Sequence, residues 1–209
     1  MDYAAARKVM VDSQVRVNDV TDRTLQAALM AVPRERYCAP DQAFAAYGEV
    51  EVEIAAGRRL MQVREVAKLI QALDAREGET ALAIAGPYAA AVLAAMGAAV
   101  TTQESDAAVF EVVGPALADA GVETVSAPLT QPVGSDWDII VSEGAVTSRP
   151  TAWLNALRVG GRLAVVERPG PNGRAVLYVK GREGVSRREL FDAAPPVLTE
   201  MTPEPVFAL

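Results

Sequence analysis

Residues 80–102 read TALAIAGPYAAAVLAAMGAAVTT, and their parse decides the fold. Ala81-Leu82-Ala83-Ile84 is a short apolar run, Gly86-Pro87 a turn, Ala89 to Met96 a helical stretch, and Ala98-Ala99-Val100-Thr101-Thr102 a second run. Short apolar runs bounded by turns predict strands buried on both faces, so the unit reads strand, helix, strand. The same grammar continues downstream. Phe110–Ala120 predicts a helix, Glu123–Ser126 a strand, Asp138–Ser142 (DIIVS) an apolar strand, and Ala152–Leu157 a helix. Arg162–Val166 and Ala175–Val179 supply two more strands, joined by the hairpin signal Pro169-Gly170-Pro171-Asn172-Gly173. The predicted class is α/β: a doubly wound, Rossmann-like sheet, mostly parallel, with an antiparallel C-terminal hairpin.

Upstream of this core the chain predicts an N-terminal helical segment. Tyr3, Ala6, Val9, Met10 and Ser13 fall on one helical face. Asn18, Asp19 and Thr21 offer caps for a second helix carrying Leu25, Ala28, Leu29 and Val32, which Pro33 ends. Val50–Ile54 alternates like an edge strand, and Val63–Leu73 has helical spacing. The expected organisation is one domain: a helical segment over 1–75, the Rossmann-like core over 76–186, and a proline-rich extended tail over 187–209 lying on the surface.

Composition bounds the function. The chain has 209 residues, 51% of them hydrophobic and 22% charged, which is the balance of a chain that folds alone. It has no histidine, which removes Ser-His and Cys-His couples and the commonest metal ligand, so triad hydrolases, zinc enzymes and a metal site are not expected. The one cysteine, Cys38, predicts a packed small hydrophobe rather than a disulfide partner or nucleophile. A net charge of −7 argues against nucleic acid. Neither a signal-peptide pattern nor an apolar run of membrane-spanning length is found, so a cytoplasmic location off the membrane is expected.

In a doubly wound sheet, ligands sit at the C-terminal edge of the strands near the switch point. The place to look is therefore the loop Ala85-Gly86-Pro87-Tyr88. A cofactor cradle there uses glycines for close backbone approach and free N–H groups for donation. This loop has one glycine, its proline lacks an N–H, and alanine methyls follow, so a tight turn that only reverses the chain is the alternative reading. Glu104, after the second run, stands at the spacing of an acidic partner for ribose hydroxyls; a solvated glutamate is its alternative. Glu143, beyond DIIVS, points toward the same cleft or is merely solvated. Arg58-Arg59 borders the cleft, while Arg187-Arg188 reads as a solvated face.

Several segments together resemble the protein-L-isoaspartate O-methyltransferase family, a class I S-adenosylmethionine-dependent methyltransferase fold. They are Ala31-Val32-Pro33-Arg34-Glu35-Arg36-Tyr37, Ala45-Ala46-Tyr47, Gly57 through Ala67, Ala81–Ile84, Glu104, Trp137–Val141 leading to Pro150, and Leu157-Arg158-Val159-Gly160-Gly161-Arg162-Leu163, all in family order. The resemblance implies a Rossmann-like methyltransferase core and, by family, methylation of isoaspartyl carboxylates in protein repair with S-adenosyl-L-methionine as donor. It also implies a role for each matching position. Met61 stands where the family has a substrate-orienting serine, and a thioether donates no hydrogen bond. The family's Glu-Ile-Gly-x-Gly-x-Gly is here Ala83-Ile84-Ala85-Gly86-Pro87, about two residues shorter. Its Gly-Asp-Gly falls near Ala127-Pro128-Leu129 without the aspartate. No catalytic residue carries over, and the cofactor set reduces to Glu104, Gly86, Ala85 and Glu143.

Methyl transfer to a carboxylate needs alignment more than acid–base help, so the lack of histidine is no objection, whereas loss of the cradle is. The expectation is a family member that has lost S-adenosyl-L-methionine binding and methyl transfer, holds no cofactor, and serves as a binding or scaffolding module. Its expected partner is a protein or peptide, including a second copy through the N-terminal helices. The alternative is the active methyltransferase.

Overall fold

The computed structural model describes residues 1–202. Helix α1 (Tyr3–Met10) starts on Asp2, whose carboxylate accepts from the Ala5 N–H at 3.0 Å. It runs into a π-helical turn, Val11–Val15, and the wider turn rotates the inward stripe to Met10, Val11, Gln14 and Val15. Val9, expected on the buried face, is therefore 61% exposed. Helix α2 (Arg23–Ala31) is capped by Asp22, which accepts from Thr24 N–H and Leu25 N–H, and not by Asn18, Asp19 or Thr21. Strands β1 (Val52–Ala55) and β2 (Arg58–Leu60) pair with each other as a separate antiparallel ribbon, so the expected edge strand does not join the main sheet. Helix α3 (Val63–Leu73) matches its predicted span and buries Val66, Leu69, Ile70 and Leu73.

The core follows as β3 (Thr80–Ile84), α4 (Pro87–Ala95), β4 (Ala99–Glu104), α5 (Ala107–Asp119), β5 (Glu123–Ser126), β6 (Trp137–Val146), α6 (Thr151–Ala156), β7 (Leu157–Glu167), β8 (Arg174–Lys180) and β9 (Val185–Asp192). The seven strands β3–β9 form one sheet in the order β5-β4-β3-β6-β7-β8-β9. Strands β5 to β7 along that order are parallel, and β8 and β9 are antiparallel. The chain winds outward from β3 to β5, then returns to lay β6 against the other side of β3. The switch point thus falls between β3 and β6. Helices α3, α4 and α5 share one apolar layer with the N-terminal helices, and Trp153 and Leu154 of α6 cover the other face with Leu163 and Tyr178. Trp153 donates its indole N–H to Leu129 O at 2.7 Å, so its polar atom is matched inside the core.

Two expectations about the C-terminus change. Strand β9 runs through the expected boundary at 187, because its Arg187 pairs with Glu167 and Glu189 rather than standing as a solvated charge. The segment after it is not a surface tail as far as it is described, residues 203–209 lying outside the described residues. Residues 193–201 turn back over the C-terminal edge of the sheet as a strap. Ala145 N–H donates to Pro196 O at 2.9 Å and Leu198 N–H to Ala145 O at 2.8 Å, adding a parallel bridge to β6. Leu198, 3% exposed, sits on Gly144, whose φ is +138°. A Cβ there would lie 2.6 Å from Leu198 Cδ2, so only glycine admits the strap. Arg168 holds the start of the strap through Ala194 O and Pro195 O, and Thr147 Oγ1 donates to Met201 O.

Candidate functional site

The C-terminal ends of β3, β4 and β6 meet under this strap. At the end of β3, Ala85 takes φ +49° and Gly86 φ −130°, so the strained residue of the turn is the alanine. Gly86 caps α4 with Pro87 in the first helical position, where a missing N–H costs nothing. A Cβ on Gly86 would approach Glu143 N at 3.3 Å. The turn is packed against β6 rather than open to a ligand.

Glu143 is 1% exposed, so the solvated reading does not hold. Its Oε1 accepts the Ala89 N–H at 2.7 Å, placing a carboxylate of the protein at the α4 N-terminus, where this fold class receives anionic or polar ligand groups. Burial raises its pKa, and Arg34 together with the Ala89, Tyr88 and Met61 N–H groups pulls the other way. Arg34, itself fully buried, donates to Ala46 O at 2.8 Å and to Met61 O, with its guanidinium 4.6 Å from the centre of the Tyr88 ring. Met61 accepts the Gly144 N–H on its sulfur at 3.2 Å. The position therefore works as an acceptor that anchors β6, not as a donor.

Glu104 is the position whose environment matters most. It is 2% exposed and in a forked ion pair with Arg58: Nε donates to Oε2 at 2.9 Å and Nη2 to Oε1 at 2.7 Å. Oε1 also accepts the Ser105 N–H at 2.8 Å and the Asp106 N–H at 3.2 Å. Both oxygens are engaged within the chain. Glu200 of the strap reaches across to the same group: Oε1 accepts from Ser105 Oγ and lies 3.8 Å from Arg58, and Oε2 accepts the Leu129 N–H at 3.1 Å, while Arg58, Ser105, Asp106 and Glu200 border a cavity of about 440 Å³. Between strap and cleft a void of about 20 Å³ is left, lined by Arg58, Met61, Glu143, Gly144 and Leu198. That is room for one water.

The structure brings Ala85, Gly86, Met61 and Glu143 together, with Glu104 on the neighbouring strand end. Sequence reasoning placed Arg58 at the border but missed that it takes Glu104, and it expected the proline-rich segment as an extended stretch on the surface without its docking on β6. The available signal was chemical: the Arg58-Arg59 pair in the hairpin, opposite in charge to Glu104. Cys38 is buried, and burial raises its thiol pKa, as a packed hydrophobe requires. Among the described residues no cluster of metal-ligating side chains occurs, and no helix is long and apolar enough to cross a membrane.

Sheet order, switch point and an acidic residue closing the second core strand define a class I methyltransferase fold. The sequence pattern of the protein-L-isoaspartate(D-aspartate) O-methyltransferase family matches residues 6–189. The chain belongs to that family. It is 34% identical over 201 residues to the protein-L-isoaspartate O-methyltransferase of Methylorubrum extorquens (strain PA1), covering 93% of this chain and 87% of that one. It is 34% identical over 170 residues to protein-L-isoaspartate O-methyltransferase 1 of Rhodopseudomonas palustris (strain HaA2), covering 78% and 69%. A solved Plasmodium falciparum candidate protein-L-isoaspartate O-methyltransferase, in complex with S-adenosyl-L-homocysteine, superposes with a TM-score of 0.78 at 14% identity, over 96% of this chain and 99% of that one. Another solved protein-L-isoaspartate O-methyltransferase gives 0.70 at 18% identity, over 92% of this chain and 64% of that one.

Proposed function

We propose that this chain is a family member that has given up S-adenosyl-L-methionine binding and methyl transfer and works as a binding or scaffolding module. The carrying observation is the Arg58–Glu104 fork, which fills both oxygens that a ribose diol would need. Glu143 on the α4 N-terminus and the strap over Gly144 support the same reading, because each puts a group of the protein where a donor would lie. With those positions filled, the residues present do not fit an adenosyl donor, and no chemical step is routed through one. The partners proposed are protein or peptide surfaces, including a second copy through the exposed Val9, Val17 and Met30 of the N-terminal segment.

A second reading is favoured by the 34% identity to relatives named as O-methyltransferases. In it the chain is an active protein-L-isoaspartate O-methyltransferase, and the fork and strap are a closed state that substrate or donor opens. Calorimetric titration of the full chain with S-adenosyl-L-methionine and S-adenosyl-L-homocysteine separates the two. The proposal expects no heat at ligand concentrations up to about 1 mM. Binding at about micromolar Kd, abolished by Glu104→Ala, overturns it in favour of the enzyme.

A further inference from the structure

At the other end of the strap, where Ala193 and Ala194 leave β9, lies a cavity of about 610 Å³. Glu51, Gln62, Glu65, Arg174 and Asp192 line it. Glu65 is the third residue of α3, a position from which glutamate ordinarily folds back onto the N-cap N–H. Here it does not. It is 6% exposed, and its Oε2 has no hydrogen-bond partner. The side-chain carbonyl of Gln62, the residue capping α3, is likewise buried and unmatched. An unmet buried acceptor costs about 1–3 kcal/mol, so two at one cavity mouth mark a place where a ligand completes the bonding.

The missing groups are donors, and the charge agrees. Glu51 adds a second carboxylate beside Glu65. Of the two arginines of the lining, Arg174 pairs with the lining's own Asp192 at 2.6 Å and lies 3.6 Å from Glu189, and Arg64 lies 3.9 Å from Glu49, which leaves Glu51 and Glu65 as the lining carboxylates not paired to an arginine of the lining. A helix N-terminus alone favours an anion, but here the first turn of α3 contributes the carboxyl of Glu65 to the lining. No trio of metal-ligating side chains converges among the described residues, so directional N–H donors suit the place better than a bare ion. We propose that this cavity binds an organic cation carrying N–H donors, a primary ammonium or a guanidinium, with Glu65 and the Gln62 carbonyl as its acceptors. The site is independent of the adenosyl question, since it shares no lining residue with the Glu104 fork.

Such a cation comes either as a free amine or as a lysine or arginine side chain on a peptide. Titration of the full chain with agmatine and, separately, with N-acetyl-Gly-Arg-Gly-amide tests the site and distinguishes the sources. At least one probe is expected to bind with Kd of about 1 mM or tighter at pH 8 in low salt, weakened about tenfold or more by Glu65→Gln. Binding tightest for the peptide assigns the site to a protein side chain, and tightest for agmatine to a free amine. Affinity is expected to rise from pH 6 to pH 8 as Glu65 ionises. The other charged groups facing the cavity are Glu51, Asp192, Arg64 and Arg174, with Arg59 and Arg168 acting on Glu51. No heat from either probe to about 10 mM overturns the proposal. So does binding that Glu65→Gln leaves unchanged, or that the distant exposed control Glu183→Gln weakens equally.

Discussion

Two stretches of the same sheet edge are built on opposite terms. Around β3, β4 and β6 the buried acid Glu104 has a partner on each oxygen, and a strap crosses the sheet edge, leaving a cavity of about 440 Å³ beside Arg58, Ser105 and Glu200. Around the start of α3, a few residues further along the strap, a buried carboxylate and a buried amide carbonyl go unmatched beside an open cavity. The first half matches both Glu104 oxygens but not every buried polar group, since Glu143 Oε2, Tyr88 Oη and Arg34 Nη1 have no hydrogen-bond partner there. The second half differs in that its unmatched acceptors border a cavity of about 610 Å³, and keeping them unmatched costs stability.

The contrast can be broken most forcefully at Arg58. Arg58→Ala strands a buried carboxylate and is expected to cost about 3–5 kcal/mol by urea unfolding at neutral pH. Adding Glu104→Gln should restore most of that loss. A single variant as stable as the parent would mean that the fork contributes nothing to closure. Next comes Gly144→Ala, which meets both an unfavourable φ and the Leu198 side chain; about 2–3 kcal/mol of destabilisation is expected, together with faster hydrogen exchange at the Leu198 amide. Unchanged exchange there would show that the strap does not depend on this seat.

The smallest effect sharpens the other half and has the opposite sign. Burial pushes the Glu65 pKa up to about 7, with Glu51 adding to the rise and Arg64 opposing it. A carboxyl raised in the folded state holds its proton there while the unfolded chain releases it. Stability is therefore lost as pH climbs from the ordinary glutamate range toward 7, and stays low above it. Glu65→Gln is expected to gain about 1–2 kcal/mol at pH 8, after allowance for solvent at the cavity mouth, and nothing at pH 4. Equal stability of the two proteins at pH 8 would show that the carboxylate is already compensated.

Much of the fold could be read from local pattern. The predicted span of α3 coincides with the helix, and β3, β5 and the β7–β8 hairpin stand where apolar runs and turn residues put them. Reading failed where phase or partners are set from a distance. Val9 went to the wrong face because a π-turn follows it. Asp22 displaced three candidate caps because the chain enters α2 one, three and four residues beyond Thr21, Asp19 and Asn18. The site was legible as residue types, with Met61, Glu104 and Glu143 each located at a strand or loop end. Their states were not legible, since each is decided by a group far along the chain: Gly144 for Met61, Arg58 for Glu104, Ala89 for Glu143.

The amino-acid order by itself determined the alternation of buried strands and helices, the family, and the poverty of the loop at residues 85–88, because periodicity and turn chemistry act between near neighbours. Tertiary structure alone decided that Arg58 turns onto Glu104, that residues 193–201 cross the sheet edge, and that Glu65 is left without a partner. Those outcomes depend on which surfaces meet after the chain has collapsed. Desolvation then sets the strength of each charge according to the partner it finds, and linear spacing carries no record of that partner.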